Sequence, residues 1–397
     1  MLHILKKIKK SKIAASTIIY TISFLFGVSF SLVSILIPLY GLAIGYSATK
    51  IGILLSIPGI SQIFLRLFAG VLSDYLGEKS MFYITFSNLV IASFVFTLIP
   101  GFWAMAVAQL IMGISRAIFW PISQSYTSRI SISLLGKLSS FTFIGQAFGF
   151  LCGGWLIMNI GFTGTFGLLA IIGAFGLIIT AFLMPILPRK YNKKRVSKFL
   201  KTVPKQIKSP KLVFGIFVAF LSGIIFMVAQ SFFPIWLIEL DFSEGWVGSI
   251  YAFTLSGYVI AGFLFSRIYN KLKLLLLLQL SLMGTGISFI IVMFVFNIAP
   301  AIILNLTLGI FSGLVSICYQ NIAVAYSSDE NRGLALSIVG LGWSLAMLIG
   351  PALFGSLVDT LTVTIAFSCL GISLIILSLF IKNFVIYRNS STFSTLI

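Results

Sequence analysis

The sequence contains little charge and little cysteine. Of its 397 residues only 9% are Asp, Glu, Lys or Arg, whereas 59% are hydrophobic. Such a small number of polar groups cannot coat a water-soluble globule of this size. The composition therefore excludes soluble enzymes and disordered proteins. Cys152, Cys318 and Cys369 lie far apart in apolar stretches without metal-ligand spacing, which excludes a disulfide scaffold and predicts three packing residues.

Acidic and histidine side chains are also scarce. An enzyme inside a membrane would need His, Cys or carboxylate groups together at membrane depth, and the only histidine is His3. We therefore expect no enzymatic activity, no cofactor and no metal site. No carboxylate of the usual proton-relay kind occurs inside an apolar stretch, so any proton coupling would use groups near helix ends. The eight acidic residues, all in loops or at helix ends, are Asp74, Glu78, Glu239, Asp241, Glu244, Asp329, Glu330 and Asp359.

Long apolar stretches dominate the chain. A helix needs about 20 apolar residues to cross a bilayer, and the sequence contains twelve stretches of about that length or longer. They predict an all-α membrane protein with twelve transmembrane helices. The stretches cover approximately residues 14–40, 47–72, 81–99, 102–126, 137–160, 164–186, 212–237, 246–267, 272–296, 299–324, 334–358 and 362–386.

Basic residues set the orientation. The chain has 27 Lys and Arg against 8 Asp and Glu, and basic residues near helix ends stay on the cytoplasmic side. If both termini are cytoplasmic, Lys50 is the one basic residue that falls outside, while Arg66 and Arg116 lie within helices. We therefore expect a multi-pass protein of the plasma membrane with cytoplasmic termini. The positive charge gives no support to nucleic-acid binding, because no known nucleic-acid module accompanies it.

A basic segment divides the chain. Residues 187–211 carry ten basic residues and no acid, and apolar side chains recur in the segment at helical spacing. This pattern is typical of an amphipathic segment lying against anionic lipid headgroups, and a solvated connector is the alternative. The predicted divisions are a six-helix bundle at 1–186, a cytoplasmic linker at 187–211 and a second bundle at 212–397.

The two bundles are internal repeats. A shift of 196 residues matches Gly27 to Gly223, Phe30 to Phe226 and Gln109 to Asn305, and a shift of 201 matches Gly149 to Gly350. Agreement across three helix pairs in the same order predicts two pseudo-symmetric six-helix bundles. Parallel repeats of this kind place a binding site near the bilayer midplane, where it opens alternately to each side, so the repeat predicts a transporter.

The loop between the second and third helices carries a motif. It reads GVLSDYLGEK over residues 70–79 and resembles the GxxxDRxGR[RK] loop of the major facilitator superfamily, with Tyr75 and Glu78 in place of two arginines. The resemblance implies that Asp74 helps lock the two halves on the cytoplasmic side, with Arg129 or Lys79 as its partner. A hydrophilic turn is the alternative. The switch residues implied by the resemblance are Gly70, Asp74, Gly77, Lys79 and Arg129.

The fifth helix is rich in glycine. Its spacing resembles the G(x8)G(x3)GP(x2)GG pattern of antiporters in the superfamily, although Phe150 replaces the proline. Close helix packing alone also explains glycines at this spacing. The glycines concerned are Gly136, Gly145, Gly149, Gly153 and Gly154, with Gly350 preceding Pro351 on the eleventh helix.

Arg116 lies near the middle of the fourth helix. An ionised side chain there costs about 2.5–3.5 kcal/mol unless it faces protein or water, so a polar partner is required. Arg116 either binds a negatively charged part of a substrate or bonds neighbouring protein groups. Polar and aromatic residues on helices 1, 4, 7 and 10 complete the predicted substrate site, and they are Ser34, Tyr40, Gln109, Gln230, Trp236, Asn305 and Gln320.

Together these features predict a secondary transporter that works by alternating access. Its partners would be a small-molecule substrate and the lipid bilayer, and a monomer is expected to suffice. The glycine-rich helix and the aromatic interior favour export of an amphipathic or drug-like compound. Arg116 favours the alternative, a uniporter or exchanger for a small anionic metabolite. A sensor with a carrier fold is the third possibility.

Overall fold

A computed structural model describes residues 2–98, 101–131, 134–183, 210–268, 273–325 and 332–387. The described residues form helices and no strands. The first four helices are α1 (Leu2–Ala43), α2 (Ala48–Leu76), α3 (Glu78–Leu98) and α4 (Phe102–Ile130), followed by a helical run over Leu135–Ala181. The later helices are α7 (Pro210–Glu239), α8 (Glu244–Ile268), α9 (Leu274–Ile291), α10 (Ile298–Ala325), α11 (Arg332–Thr360) and α12 (Val363–Tyr387).

The run over Leu135–Ala181 consists of two helices. Its apolar part is 46 residues long, more than twice what one crossing needs. Gly161 interrupts it with φ 69° and ψ 178°, a backbone conformation that glycine adopts without strain. We call residues 135–160 α5 and residues 162–181 α6. Divided in this way, the described residues contain twelve helices of spanning length, which confirms the predicted fold class.

Contacts between Cα atoms group the chain into two units. The first unit holds Met1–Leu36 and Ile57–Lys193, and the second holds Ile37–Ser56 and Lys194–Ile397. The end of α1 and the start of α2 thus group with the second unit, whereas the sequence-based division assigns them to the first bundle. Residues 187–209 of the predicted interfacial segment lie outside the described residues.

Glycines bring the helices of the first unit together. A Cβ atom on Gly27 of α1 would collide with the Thr142 carbonyl oxygen of α5. One on Gly113 of α4 would lie 2.8 Å from the Pro58 carbonyl oxygen of α2. Since a side chain fits at neither place, these glycines permit the close approach of α1 to α5 and of α2 to α4.

The second unit repeats both contacts. A Cβ atom on Gly223 of α7 would lie 3.1 Å from the Trp343 carbonyl oxygen of α11. One on Gly309 of α10 would collide with the Thr254 carbonyl oxygen of α8. These contacts follow the two sequence shifts, and the internal repeat is confirmed.

The start of α2 is bound to α11 inside the second unit. The Asp359 carboxylate accepts hydrogen bonds from the backbone N–H groups of Ala48 at 2.8 Å and Thr49 at 2.9 Å. Two turns further along α2, the Ser56 hydroxyl accepts from the Ala352 N–H at 3.1 Å. Asp359 therefore caps the amino end of α2, where unpaired N–H groups and the helix dipole favour a negative charge.

Candidate functional site

Arg116 is a buried cation within the first unit. Its side chain lies near the middle of α4 and the residue is 4% exposed. The guanidinium carbon lies 4.2 Å from the centre of the Phe30 ring of α1, and Nε has no hydrogen-bond partner. Among the described residues no hydrogen bond or ion pair to Arg116 occurs. The contact with Phe30 is a cation–π interaction, which attracts the positive charge without neutralising it.

Aromatic packing holds this cation in place. One turn along α4 from Arg116, Phe119 stacks on Phe26 of α1 with ring centres 3.7 Å apart. Phe30 lies one turn along α1 from Phe26, so the paired rings fix α1 against α4 beside the guanidinium. An arginine in this position presents hydrogen-bond donors in apolar surroundings and suits a carboxylate or another anion.

The remaining predicted residues of the first unit are buried. The Ser34 hydroxyl donates to the Phe30 carbonyl oxygen of its own helix at 2.8 Å, and Gln109 is 1% exposed. Sequence reasoning missed Gln146 on α5, whose Oε1 is buried without a hydrogen-bond partner. The signal available in the sequence was a single amide side chain inside the glycine-rich stretch. In the structure, the backbone N–H of Gln146 lies where Gly27 of α1 approaches α5.

Among the predicted residues of the second unit, Asn305 joins two helices, whereas Trp236 packs against a residue of its own helix. The Asn305 Oδ1 atom accepts from the Thr254 hydroxyl at 2.8 Å, and its Nδ2 atom donates to the Ala301 carbonyl oxygen at 2.9 Å. Trp236 is buried and its ring packs against Phe233, with centres 5.2 Å apart. Tyr40 is half-buried and Gln320 is exposed.

Gln230 of α7 differs from these residues. It is 4% exposed, and its Nε2 atom has no hydrogen-bond partner among the described residues. A buried amide donor without a partner is costly, so this position is suited to a ligand that supplies an acceptor. Arg116 and Gln230 are therefore the two predicted substrate residues that keep unsatisfied buried donors.

The glycines of α5 lie against α1. A Cβ atom on Gly145 would collide with the Phe24 carbonyl oxygen, and one on Gly149 would collide with the Ser31 hydroxyl. Around Gly136, in contrast, nothing lies within 4 Å of such an atom. Close packing accounts for Gly145 and Gly149.

The loop after α2 belongs to a charged cluster in the first unit. Glu78 is buried and forms an ion pair with Arg129 of α4 at 3.2 Å. The Lys79 ammonium donates to the Ala181 carbonyl oxygen at the end of α6 at 2.6 Å, and Gly77 has φ 80°. The side chains of residues 69–75 lie outside the described residues, so the locking role of Asp74 stays a prediction.

Comparison with known families decides the class of protein. A family model described as Major Facilitator Superfamily matches residues 19–323 and 245–393. The chain belongs to this superfamily. Solved structures agree in fold: the nucleoside transporter NupG has a TM-score of 0.78 at 13% identity, covering 94% of this chain and 98% of that one. A D-xylose-proton symporter has a TM-score of 0.72 at 14% identity, covering 93% and 97%.

Two relatives of this major facilitator protein are named for drug transport or resistance. The quinolone resistance protein NorA of Staphylococcus aureus is 21% identical over 378 residues, which cover 90% of this chain and 93% of NorA. The multidrug transporter mfsB of Aspergillus fumigatus is 30% identical over 97 residues, which cover 24% of this chain and 16% of mfsB. The matched family, mfsB and both solved structures are named for transport, which is consistent with the expected class.

Proposed function

We propose that this transporter exports an amphipathic or drug-like compound that carries a negatively charged group. The observation that carries the proposal is the buried guanidinium of Arg116, which lies on the Phe30 ring and whose Nε has no hydrogen-bond partner among the described residues. The drug-transport and resistance names of NorA and mfsB support export.

The energetics of Arg116 favour an anionic substrate. A cation in apolar surroundings without an anionic partner is costly, and a bound carboxylate removes most of that cost. The aromatic rings of Phe26, Phe30 and Phe119 supply apolar contact beside the charge. A compound with one acidic group on a hydrophobic body satisfies both features, whereas a lipophilic cation meets repulsion.

A second candidate is a uniporter or exchanger for a small anionic metabolite. Arg116 supports it equally, and the lack of an acidic residue in the middle of any apolar stretch of the sequence favours transport without a buried proton relay. The two candidates differ in the size of the hydrophobic body and in the driving force.

The cellular setting is part of the proposal. Transport by alternating access takes place in the plasma membrane, by a monomer with both termini in the cytoplasm. The basic linker at 187–211 lies against anionic headgroups, and Asp74 with its neighbouring charges acts as the cytoplasmic lock. The glycine pattern of α5 supports an antiporter.

Thermal unfolding of the purified full chain tests the anionic substrate. Three probes of similar size and different charge are used: naphthoate, naphthamide and naphthylmethylammonium. We expect naphthoate to stabilise the protein, by about 2.7 kcal/mol at 100 times its Kd, and the other two to have little effect. Arg116→Met abolishes the stabilisation, while Arg267→Gln, which changes an exposed arginine in the last turn of α8, preserves it. Equal stabilisation by all three probes contradicts the proposal.

Flux measurements separate the two candidates. Vesicles containing the protein are loaded with naphthoate, and its release is followed with and without a pH gradient, and with and without a small external carboxylate. Export coupled to protons makes release depend on the gradient. Release that ignores the gradient establishes the second candidate: an exchanger if release requires the external carboxylate, and a uniporter if it does not.

A further inference from the structure

One face of α7 carries buried polar atoms without partners. Ser222, Phe226 and Gln230 follow one another at intervals of four residues and therefore lie on the same face of the helix. The Ser222 hydroxyl and the Gln230 Nε2 atom have no hydrogen-bond partner among the described residues. Buried polar groups are normally paired, so two such groups on one helix face indicate a site that a ligand completes.

Aromatic rings from three helices meet on this face. The Tyr258 ring of α8 stands perpendicular to the Phe226 ring, with centres 5.6 Å apart. The Trp343 ring of α11 lies 5.7 Å from the Phe226 ring, and Gly223 lets α11 approach α7 beside it. A Cβ atom on Gly313 of α10, the residue after Ser312, would lie 3.4 Å from the Tyr258 ring. Tyr258 and Trp343 are half-buried, so part of each ring is open to contact.

This group of aromatic residues differs from the closed aromatic core of the same unit. In that core Phe233 contacts Phe289 and Phe367, and all three side chains are fully buried. These rings pack against one another and carry no hydrogen-bonding group. The group around Phe226, in contrast, combines partly open rings with unpaired donors, a combination typical of ligand sites.

The internal repeat defines the chemistry of the ligand. The shift of 196 residues that matches Phe30 to Phe226 also places Ser312 at the position of Arg116. The second unit therefore has a hydroxyl group where the first has a cation. An acidic group would find no positive charge at this position, whereas an uncharged ring would find aromatic faces and a hydrogen-bond donor.

We propose that Phe226, Gln230, Tyr258 and Trp343 form a binding subsite for an uncharged ring that carries a carbonyl or ether oxygen. The ring packs against the aromatic side chains, and its oxygen accepts a hydrogen bond from the Gln230 Nε2 atom. This inference rests on the proposed function, since it assigns a part of the transported compound to the second unit.

Coumarin, a flat uncharged bicycle with a ring carbonyl, is the probe for this subsite. Its Kd for the purified full chain is measured by thermal unfolding and by quenching of tryptophan fluorescence. Gln230→Leu keeps the volume and removes the donor, so we expect the Kd for coumarin to rise about tenfold. Gln279→Leu, the same change at a half-buried position of α9, leaves it unchanged. Trp343→Phe retains an aromatic ring and binding but reduces the quenching.

The outcomes distinguish this subsite from the proposed function. Naphthoate binding depends on Arg116 and is expected to be indifferent to Gln230, and coumarin binding shows the reverse dependence. If naphthoate ignores Arg116 while coumarin requires Gln230, the anionic substrate fails and the subsite stands. Coumarin binding that is equal in wild type and Gln230→Leu, or absent from wild type at millimolar concentration, overturns the subsite.

Discussion

The two units share their backbone contacts and differ in their polar side chains. Gly113 packs on Pro58 in the first unit, and at the equivalent position Gly309 packs on Thr254 in the second. Beside this common contact, the first unit carries the cation Arg116 and the second carries Ser312. Glycine contacts therefore fix how the helices pack, while the polar positions between them are free to acquire different binding chemistry.

The largest expected effect comes from breaking the common contact. Gly113→Val and Gly309→Val each place side-chain atoms against the backbone of a neighbouring helix, where relief requires the helices to separate. We expect each to destabilise the protein by about 3 kcal/mol or more, or to prevent folding. Thermal unfolding and expression yield measure this. Gly136→Val is the matched control because a Cβ atom there meets nothing within 4 Å. If one of the pair is tolerated like the control, the contact is not shared.

The next largest effect concerns the polar difference itself. Arg116→Met removes a buried charge that has no partner among the described residues, so we expect the empty protein to become more stable, by about 2 kcal/mol. The same variant loses naphthoate binding, which is the trade-off expected where a binding site is built at the expense of stability. Ser312→Ala should change the free energy of unfolding by less than about 1 kcal/mol. A destabilised Arg116→Met protein would mean that Arg116 has a structural role.

Asp359 offers a second asymmetry. It caps α2 inside the second unit, whereas a shift of 201 residues places Met158 at the equivalent position of the first. In Asp359→Asn one side-chain oxygen becomes an amide donor that faces a backbone N–H, so one hydrogen bond and the negative charge are lost. We expect a loss of about 1–2 kcal/mol, measured by thermal unfolding. Asp241→Asn serves as the control because residue 241 has φ 62°, which asparagine tolerates. Equal effects of the two changes would refute the cap.

The sequence predicts the helices and the repeat much better than it predicts the contacts of single side chains. Apolar length and turn residues define a spanning helix, and Gly27 with Gly223 identifies the repeat, because neither signal requires knowing which side chains touch. The partners of Glu78 and Asp359 are not predicted, because they depend on how each helix rotates and on residues up to 311 positions away. Gln230 and Asn305 look alike in sequence for the same reason, and only the structure separates the unpaired amide from the bonded one.

The smallest predicted effect tests that last distinction. Thr254 donates to Asn305 in the second unit, and Pro58, its equivalent in the first, has no hydroxyl group to offer Gln109. Thr254→Val removes the hydrogen bond at nearly constant volume, and we expect a loss of about 0.6 kcal/mol, the average for such bonds between membrane helices. Thermal unfolding measures the loss, and coumarin and naphthoate binding should be unchanged, because both polar atoms of the Asn305 amide are already hydrogen-bonded within the protein. A change in the affinity of either probe would instead place Asn305 in the binding site, and the polar difference between the units would then include this position.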